Sequence, residues 1–254
     1  MLHDFDDLGG YSIRATDGEL GAVKDLYFDD SDWSVRYLVA DTRRWLPGRR
    51  VLLVPDVIDE AIPADKAVAV SLSVEQVKES PDIGEDMPVS AEHERALHDF
   101  YNWSPYWVVY PGYAGPLAFG SVVTEGTQPG VVEAEGPRLR SAAEVEGYHI
   151  AANDGEIGHV ETFLVDDEGW AIRYLVVDTR NWLPGRKVLV SPSWIQGVSW
   201  SQNQVMVDLT QEQIKNSPPY HKGQPMNREQ ESVLFTHYGR PTYWDEQPRP
   251  KTIW

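Results

Sequence analysis

The sequence predicts a mainly β protein made of two small antiparallel β-barrels in tandem, each followed by short helices. Three observations support this fold class. Residues 10–107 align without a gap with residues 147–244, and 43 of the 98 aligned positions are identical. Each copy contains about six short apolar segments separated by turn residues, which is typical of small barrels. Each copy also ends in two helix-start signals.

The strands of the first copy follow from local patterns. Residues 11–15 and 19–28 predict a hairpin closed by Asp17 and Gly18, because glycine adopts the positive φ of a tight turn. Further strands are predicted at residues 35–40, 51–54, 57–62 and 67–70. Such short, evenly spaced strands indicate a closed or half-closed barrel.

Two helices are predicted after the strands of each copy. The first has a capping box, in which a hydroxyl residue is followed three positions later by glutamine, and it ends before a proline. These residues are Ser73, Gln76 and Pro81 in the first copy and Thr210, Gln213 and Pro218 in the second. The second helix is predicted to begin at Ser90, or at Asn227 in the second copy.

The repeat also divides the chain. We predict a first domain at residues 1–107, a connector rich in Pro, Gly and aromatic residues at 108–140, and a second domain with a C-terminal tail at 141–254. Tyr110, Tyr113 and Phe119 have no counterpart in the second copy, so we predict that they form contacts between domains or between chains. The sequence is consistent with a homodimer or an intramolecular pseudo-dimer.

Charge and composition limit the partners. The 22 basic and 40 acidic residues give a net charge of −18, which opposes binding to nucleic acid. The chain has no cysteine, which fits a reducing compartment. The uncharged segment 100–124 is interrupted by prolines, so no integral membrane segment is expected. We expect a cytoplasmic protein, with peripheral attachment to the inner membrane as an alternative.

A positive loop interrupts the acidic sequence in each copy, at residues 41–50 and 178–187. Guanidinium groups bind carboxylates in a bidentate manner and tryptophan adds contact area, so this rim is the candidate docking surface. The candidate residues are Arg43, Arg44, Trp45, Arg49, Arg180, Trp182 and Arg186. Alternatively, Arg43 and Arg49 pair internally with Asp41 and the turn at Asp29 and Asp30.

No catalytic, metal or cofactor site is predicted. The acidic run from Asp29 to Asp32 suggests calcium, but it lacks the alternating register of a calcium loop and is better explained as a turn. The seven histidines include no pair with metal-binding spacing on a helix. The sequence also contains no nucleophile elbow and no glycine-rich phosphate loop.

The order of motifs resembles the PRC-barrel family. Asp-Gly-Glu-x-Gly is followed by Arg-Tyr-Leu-Val, Trp-Leu-Pro-Gly-Arg and Glu-Gln-x-Lys-x-Ser-Pro, at residues 10–81 and again at 147–218. This family includes the cytoplasmic domain of the photosynthetic reaction centre H subunit and the C-terminal domain of the ribosome maturation factor. The resemblance implies a β-barrel adaptor that docks on other proteins and has no catalytic residues.

The leading functional hypothesis is therefore a non-enzymatic interaction or scaffold protein whose protein partner the sequence does not identify. One alternative, implied by the resemblance, is a peripheral component of a bacterial photosynthetic reaction centre or of membrane electron transfer. The other is a small-ligand or metal-dependent enzyme with a cleft between the barrels.

Overall fold

The structure is a computed structural model that describes residues 1–42, 46, 50–81, 89–107, 139–179, 186–224 and 226–245. Below, the first repeat is residues 2–107 and the second repeat is residues 139–244. The first repeat contains β1 (Leu2–Asp4), β2 (Ser12–Arg14), β3 (Glu19–Asp29), β4 (Val35–Asp41), β5 (Arg50–Leu53), β6 (Ile58–Ile62) and β7 (Ala67–Val70). The second contains β8 (Leu139–Ser141), β9 (His149–Ala152), β10 (Gly155–Asp166), β11 (Ala171–Asp178), β12 (Lys187–Val190), β13 (Ile195–Ser199) and β14 (Gln204–Val207).

The mainly β class and the short helices are confirmed. The helices are α1 (Phe5–Leu8), α2 (Val74–Glu79), α3 (Ala91–Tyr101), α4 (Ala142–Val145), α5 (Gln211–Asn216) and α6 (Arg228–Tyr238). Both predicted capping boxes are present. The hydroxyls of Ser73 and Thr210 each accept a hydrogen bond from the backbone N–H of the glutamine three residues later, and the side chain of that glutamine accepts one from the backbone N–H of the capping residue. The sequence did not predict α1 and α4, which are single turns capped by Asp4 and Ser141.

The two repeats form sheets with the same strand order. In the first sheet the order is β5-β4-β3-β2-β7-β6, and in the second it is β12-β11-β10-β9-β14-β13. The described strands depart in two respects from the closed or half-closed antiparallel barrel that the sequence predicts. The described strands leave each sheet open, with β5 and β6 at opposite ends of one and β12 and β13 at opposite ends of the other. In addition, β2 pairs with β7, and β9 with β14, in the parallel sense.

The parallel pair has a simple cause in the connection after β5. A single 3₁₀ turn, Pro55–Val57, joins β5 to β6 without reversing the direction of the chain. The hairpin formed by β6 and β7 therefore brings β7 beside β2 in the same direction. A second short 3₁₀ turn, Pro192–Trp194, has the same position in the second repeat.

The two sheets exchange their first strands. β1 belongs to the first repeat but pairs antiparallel with β10, so that Asp4 lies opposite Leu164. β8 belongs to the second repeat but pairs antiparallel with β3, so that Ser141 lies opposite Tyr27. Each sheet consequently has seven strands, one of them supplied by the other repeat. β8 also includes two residues that the sequence placed in the connector.

The hydrophobic core continues from one sheet into the other. The rings of Phe28 and Phe163, one from each repeat, have centroids 6.4 Å apart. Two backbone hydrogen bonds also join the repeats: Val35 N–H donates to the carbonyl of Trp170 at 2.7 Å, and Ile172 N–H donates to that of Trp33 at 2.9 Å. Because these bonds link equivalent positions in opposite directions, an approximate twofold axis relates the repeats.

Candidate functional site

The rim predicted as the docking surface is described only in part. Arg186 lies in the described part of the chain, and its Nη2 donates to the carbonyl oxygen of Ser217. The hydroxyl of Thr179 donates to the carbonyl oxygen of Arg186 at 2.8 Å. Arg186 thus binds its own repeat, which favours the internal role at this position. The other candidates lie outside the described residues: Arg43, Arg44, Trp45, Arg49, Arg180, Trp182, Tyr110, Tyr113 and Phe119.

The acidic turn of each repeat is bound by the arginine of the Arg-Tyr-Leu-Val motif. Nη2 of Arg36 lies 3.2 Å from Oδ2 of both Asp29 and Asp32. In the second repeat, Arg173 donates to Oδ2 of Asp166 from Nε at 3.1 Å and from Nη2 at 2.8 Å. These carboxylates therefore stabilise their turns. Among the described residues, no group of three or more side chains is placed to hold a metal ion.

A buried polar cluster lies between α3 and the first sheet. The hydroxyls of Tyr37 and Tyr106 each donate to Oε1 of Glu94 at 2.8 Å. The hydroxyl oxygen of Tyr37 also lies 2.8 Å from Nε2 of His98. Because a phenol carries one proton and Tyr37 donates it to Glu94, His98 is the donor in the second bond, which requires its Nε2 to be protonated. The guanidinium of Arg36 lies 4.4 Å from the centre of the Tyr106 ring.

Burial sets the ionisation of this cluster. Glu94 is 2% exposed, and desolvation raises its pKa while the Tyr106 and Tyr37 hydroxyls act in the opposite direction. Desolvation lowers the pKa of His98, which favours the neutral ring. The pKa of Tyr37 is raised by burial and by the nearby Glu94, so its hydroxyl stays protonated. The hydrogen bonds of the cluster hold α3 on the sheet.

The second repeat has the same cluster with two differences, since Phe235 replaces His98 and Arg228 stands where the first repeat has Ala91. Tyr174 and Tyr243 each donate to Oε1 of Glu231 at 2.8 Å, and Arg228 donates to its Oε2 at 3.2 Å. Phe235 occupies the position of His98, so this copy has no titratable ring beside the tyrosine. The fold is preserved although the histidine is replaced. The buried carboxylate and the two tyrosine hydroxyls that bind it are therefore the groups common to both repeats.

The clusters around Glu94 and Glu231 were not predicted, for an identifiable reason. The spacing of Glu94, Leu97 and Tyr101 predicts one apolar helix face against the barrel, and Tyr106 and Tyr243 are predicted to cover their own barrels. The signal was the recurrence of a glutamate inside that face at the same position in both copies, Glu94 and Glu231. A charged residue in a buried stripe indicates a paired carboxylate, because an unpaired one would be costly.

The strands exchanged between the repeats create a third region, the seam, where β1 meets β10 and β8 meets β3. In the outer layer of the seam, Nε2 of His3 lies 2.7 Å from Oδ2 of Asp167, and Nε of Arg140 donates to Oδ2 of Asp30 at 3.1 Å. These two contacts occupy equivalent positions in the repeats. The guanidinium of Arg140 also lies 4.0 Å from the centre of the Trp200 ring. Polar contacts thus join the exchanged strands to the sheets that receive them.

Glu146, just after α4, makes stability at the seam dependent on pH. Burial, followed by the carboxylates of Asp6, Asp25 and Asp4, raises its pKa from 4.5 to about 7, while Lys222 acts in the opposite direction. Between these values the folded state holds a proton that the unfolded state has lost, so this group costs stability as the pH rises. Glu146→Gln should therefore raise the Tm at pH 8 by about 2–4 °C, and the gain should fall toward zero near pH 5.

Thermal unfolding followed by circular dichroism at pH 5 and pH 8 measures this difference. Glu144→Gln is the control, because it removes an exposed carboxylate from α4, two residues before Glu146. A gain for Glu146→Gln that is equal at the two pH values, or that is matched by the control, would contradict the pKa assignment.

None of the helices in the described part of the chain combines the length and the apolar character needed to cross a bilayer. No curated protein matches the chain. A family model described as the PRC-barrel domain matches residues 2–80, from β1 to the residue that caps the end of α2. The first repeat is therefore similar to the PRC-barrel domain, as its motifs predicted.

Proposed function

We propose that this protein is a non-enzymatic interaction or scaffold protein in which two PRC-barrel-like repeats form an intramolecular pseudo-dimer. The observation that carries the proposal is the joining of two sheets of identical strand order through exchanged strands and a continuous core. Such a unit contains two equivalent sets of sheet edges. The match of residues 2–80 to the PRC-barrel domain supports an interaction role for the first repeat.

The second repeat is included in the proposal because of its sequence and its sheet. It repeats the motif string of the first at a constant offset, and its strands follow the same order. The buried carboxylates also favour a role without catalysis. Glu94 and Glu231 are each 2% exposed and accept hydrogen bonds from tyrosine hydroxyls, so they are closed to a substrate.

The docking surface that we propose is the positive rim. In the first repeat this rim carries Arg43, Arg44, Trp45 and Arg49, and a partner with exposed carboxylates would suit it. The first repeat is otherwise the more acidic one, with a net charge of −12 at residues 1–107 against −5 at residues 141–254. A cationic rim on an acidic repeat would orient an acidic partner toward that loop, because the rest of the surface repels it.

The test is recovery of partners from native host cells, by chemical crosslinking and mass spectrometry, on the full-length protein. For the variant Arg43→Ala with Arg49→Ala, recovery of the main partner should fall by about tenfold, which is the loss expected when about 1.4 kcal/mol of binding is removed. Arg14→Ala with Lys24→Ala is the control, since it removes the same charge from exposed positions of the same repeat.

Equal recovery by the rim variant, with unchanged thermal stability, would exclude the rim as the docking surface. An equal loss in both variants would show that the total charge of the repeat, and not the rim, attracts the partner.

A further inference from the structure

The buried layer of the seam contains the same two chemical groups on opposite strands. Where β1 meets β10, the hydroxyl of Thr162 donates to Oδ1 of Asp4 at 3.0 Å. Where β8 meets β3, the hydroxyl of Ser141 donates to Oδ2 of Asp25 at 2.5 Å. Each pair thus combines one carboxylate with one hydroxyl, and all four side chains are at most 9% exposed. The carboxylate is on the exchanged strand in one pair and on the receiving strand in the other.

The carboxylate performs the same second task in both pairs. The backbone N–H of Asp6, at the start of α1, donates to Oδ1 of Asp4 at 3.0 Å. The equivalent N–H of Ala143, at the start of α4, donates to Oδ1 of Asp25 at 3.1 Å. A helix N-terminus therefore receives its carboxylate from its own strand in one case and from the opposite repeat in the other. In each pair, one carboxylate thus binds both a hydroxyl and the start of a helix.

The alternative pairing, in which each first strand stays with its own sheet, would break this pattern. Asp4 would face Asp25, which places two carboxylates together in a buried site. Ser141 would face Thr162, which leaves the N–H groups of α4 without a carboxylate. Two buried carboxylates in contact repel one another unless one takes up a proton. Burial already raises the pKa of Asp4 and of Asp25 when each has a hydroxyl partner.

The outer layer of the seam does not discriminate between these pairings. His3 pairs with Asp167 and Arg140 with Asp30, so each exchanged strand brings a basic group to an aspartate at the same position. Exchanging the two strands would again place a basic group against an aspartate. The buried layer does discriminate between the pairings. Contacts beside it add to the discrimination, because Tyr220 donates to Oδ2 of Asp4 at 3.4 Å and Lys222 donates to Oδ2 of Asp6 at 2.8 Å.

We propose that Asp4, Thr162, Ser141 and Asp25 form a complementary pairing code that directs the first strand of each repeat to the sheet of the other repeat. The partner that fits the first sheet is a strand with a hydroxyl at this position. The partner that fits the second sheet is a strand with a carboxylate. By the same rule, two first repeats do not pair with one another, because Asp4 of one would face Asp25 of the other.

A thermodynamic cycle on the full chain tests the code. Ser141→Asp adds a second carboxylate beside Asp25, and Asp25→Thr leaves two hydroxyls and no carboxylate. The double variant, Ser141→Asp with Asp25→Thr, places a carboxylate and a threonine where β8 meets β3, as Asp4 and Thr162 are placed where β1 meets β10. Each single variant should therefore be less stable than wild type in urea unfolding. The double variant should have an unfolding equilibrium constant at least tenfold smaller than that of Ser141→Asp. Additive losses would overturn the proposal.

A second measurement reports the pairing itself and remains informative if a single variant fails to fold. The chain has no cysteine, so introduced pairs report strand contacts without interference. Leu139→Cys with Asp29→Cys reports the exchanged pairing, in which these residues are opposite one another. Leu2→Cys with Asp29→Cys reports the unexchanged pairing and is its matched control. Disulfides are identified by mass spectrometry after mild oxidation.

In the wild-type background only the first reporter should form a disulfide within the chain. With Asp25→Thr and Ser141→Asp present, each strand offers a carboxylate and each sheet a hydroxyl, so both pairings become acceptable and the second reporter should form too. If only the exchanged disulfide forms in that background, these four side chains do not select the pairing, and the proposal is wrong.

Discussion

Gly21→Ala is expected to lower the free energy of unfolding by about 4 kcal/mol or more, the largest effect of any substitution considered for this protein. Gly21 lies in β3 with φ of +133°, a backbone conformation that an L side chain rarely adopts. A Cβ at this position would lie 1.9 Å from the carbonyl oxygen of Asp41 in the neighbouring strand. Since that oxygen belongs to the backbone of β4, the clash can be relieved only by separating two strands.

Urea unfolding followed by tryptophan fluorescence measures the loss, and Gly197→Ala is the matched control. Gly197 is also in a strand, but its added Cβ would meet the end of the flexible Met206 side chain at 3.2 Å. Gly158→Ala should reproduce the large loss in the second repeat, because its Cβ would lie 2.0 Å from the carbonyl oxygen of Asp178. If Gly21→Ala costs no more than Gly197→Ala, the close approach of β3 and β4 is not a constraint.

The position of Gly21 shows which features of the fold the sequence predicts. The Asp-Gly-Glu-x-Gly motif predicted the turn of the first hairpin, and its last glycine marks the close approach to the next strand. Strand positions were predicted to within one residue at most ends, including β7 at residues 67–70. These features depend on neighbours in the chain, and local patterns record them.

The strand exchange could not be predicted in the same way. β1 and β8 are three residues long, and each binds a strand that is far away in the sequence. Leu2–Asp4 and Leu139–Ser141 share only their leucine, so the repeat alignment did not extend to them. The parallel pairing of β2 with β7 was missed because strand direction depends on how a connection turns, which periodicity does not reveal.

The candidate site was predicted least well, because its determinants are relations between side chains and not motifs. Arg36 was recognised as part of a repeated string, but its role in binding Asp29 and Asp32 needed the geometry of the turn. The buried layer of the seam was missed for a different reason. Asp4 and Ser141, like Asp25 and Thr162, differ between the copies, and a comparison based on identity passes over positions that differ. Such paired differences between the copies become informative only when the structure shows which side chains are in contact.

Tyr37→Phe is expected to lower the free energy of unfolding by about 2–3 kcal/mol at pH 8, whereas Tyr174→Phe should cost about 1 kcal/mol. The two tyrosines occupy equivalent positions, and each donates to a buried glutamate at 2.8 Å. In both variants the glutamate keeps a second tyrosine, Tyr106 in the first repeat and Tyr243 in the second. The clusters differ in two ways. The buried His98, 4% exposed, contacts the Tyr37 hydroxyl through Nε2, and Arg228 donates to Glu231 where the first repeat has Ala91.

Removing the Tyr37 hydroxyl therefore leaves two buried groups with fewer partners, while removing that of Tyr174 leaves one. Urea unfolding of both variants and of Tyr37→Phe combined with His98→Phe separates the contributions. The double variant should recover stability relative to Tyr37→Phe alone, because phenylalanine is the residue that the second repeat has at this position and it brings no polar group to satisfy. Equal losses for Tyr37→Phe and Tyr174→Phe, without recovery in the double variant, would show that the bond to His98 contributes nothing. The predicted order, with recovery in the double variant, instead makes the bond to His98 a stabilising part of the polar cluster in the first repeat.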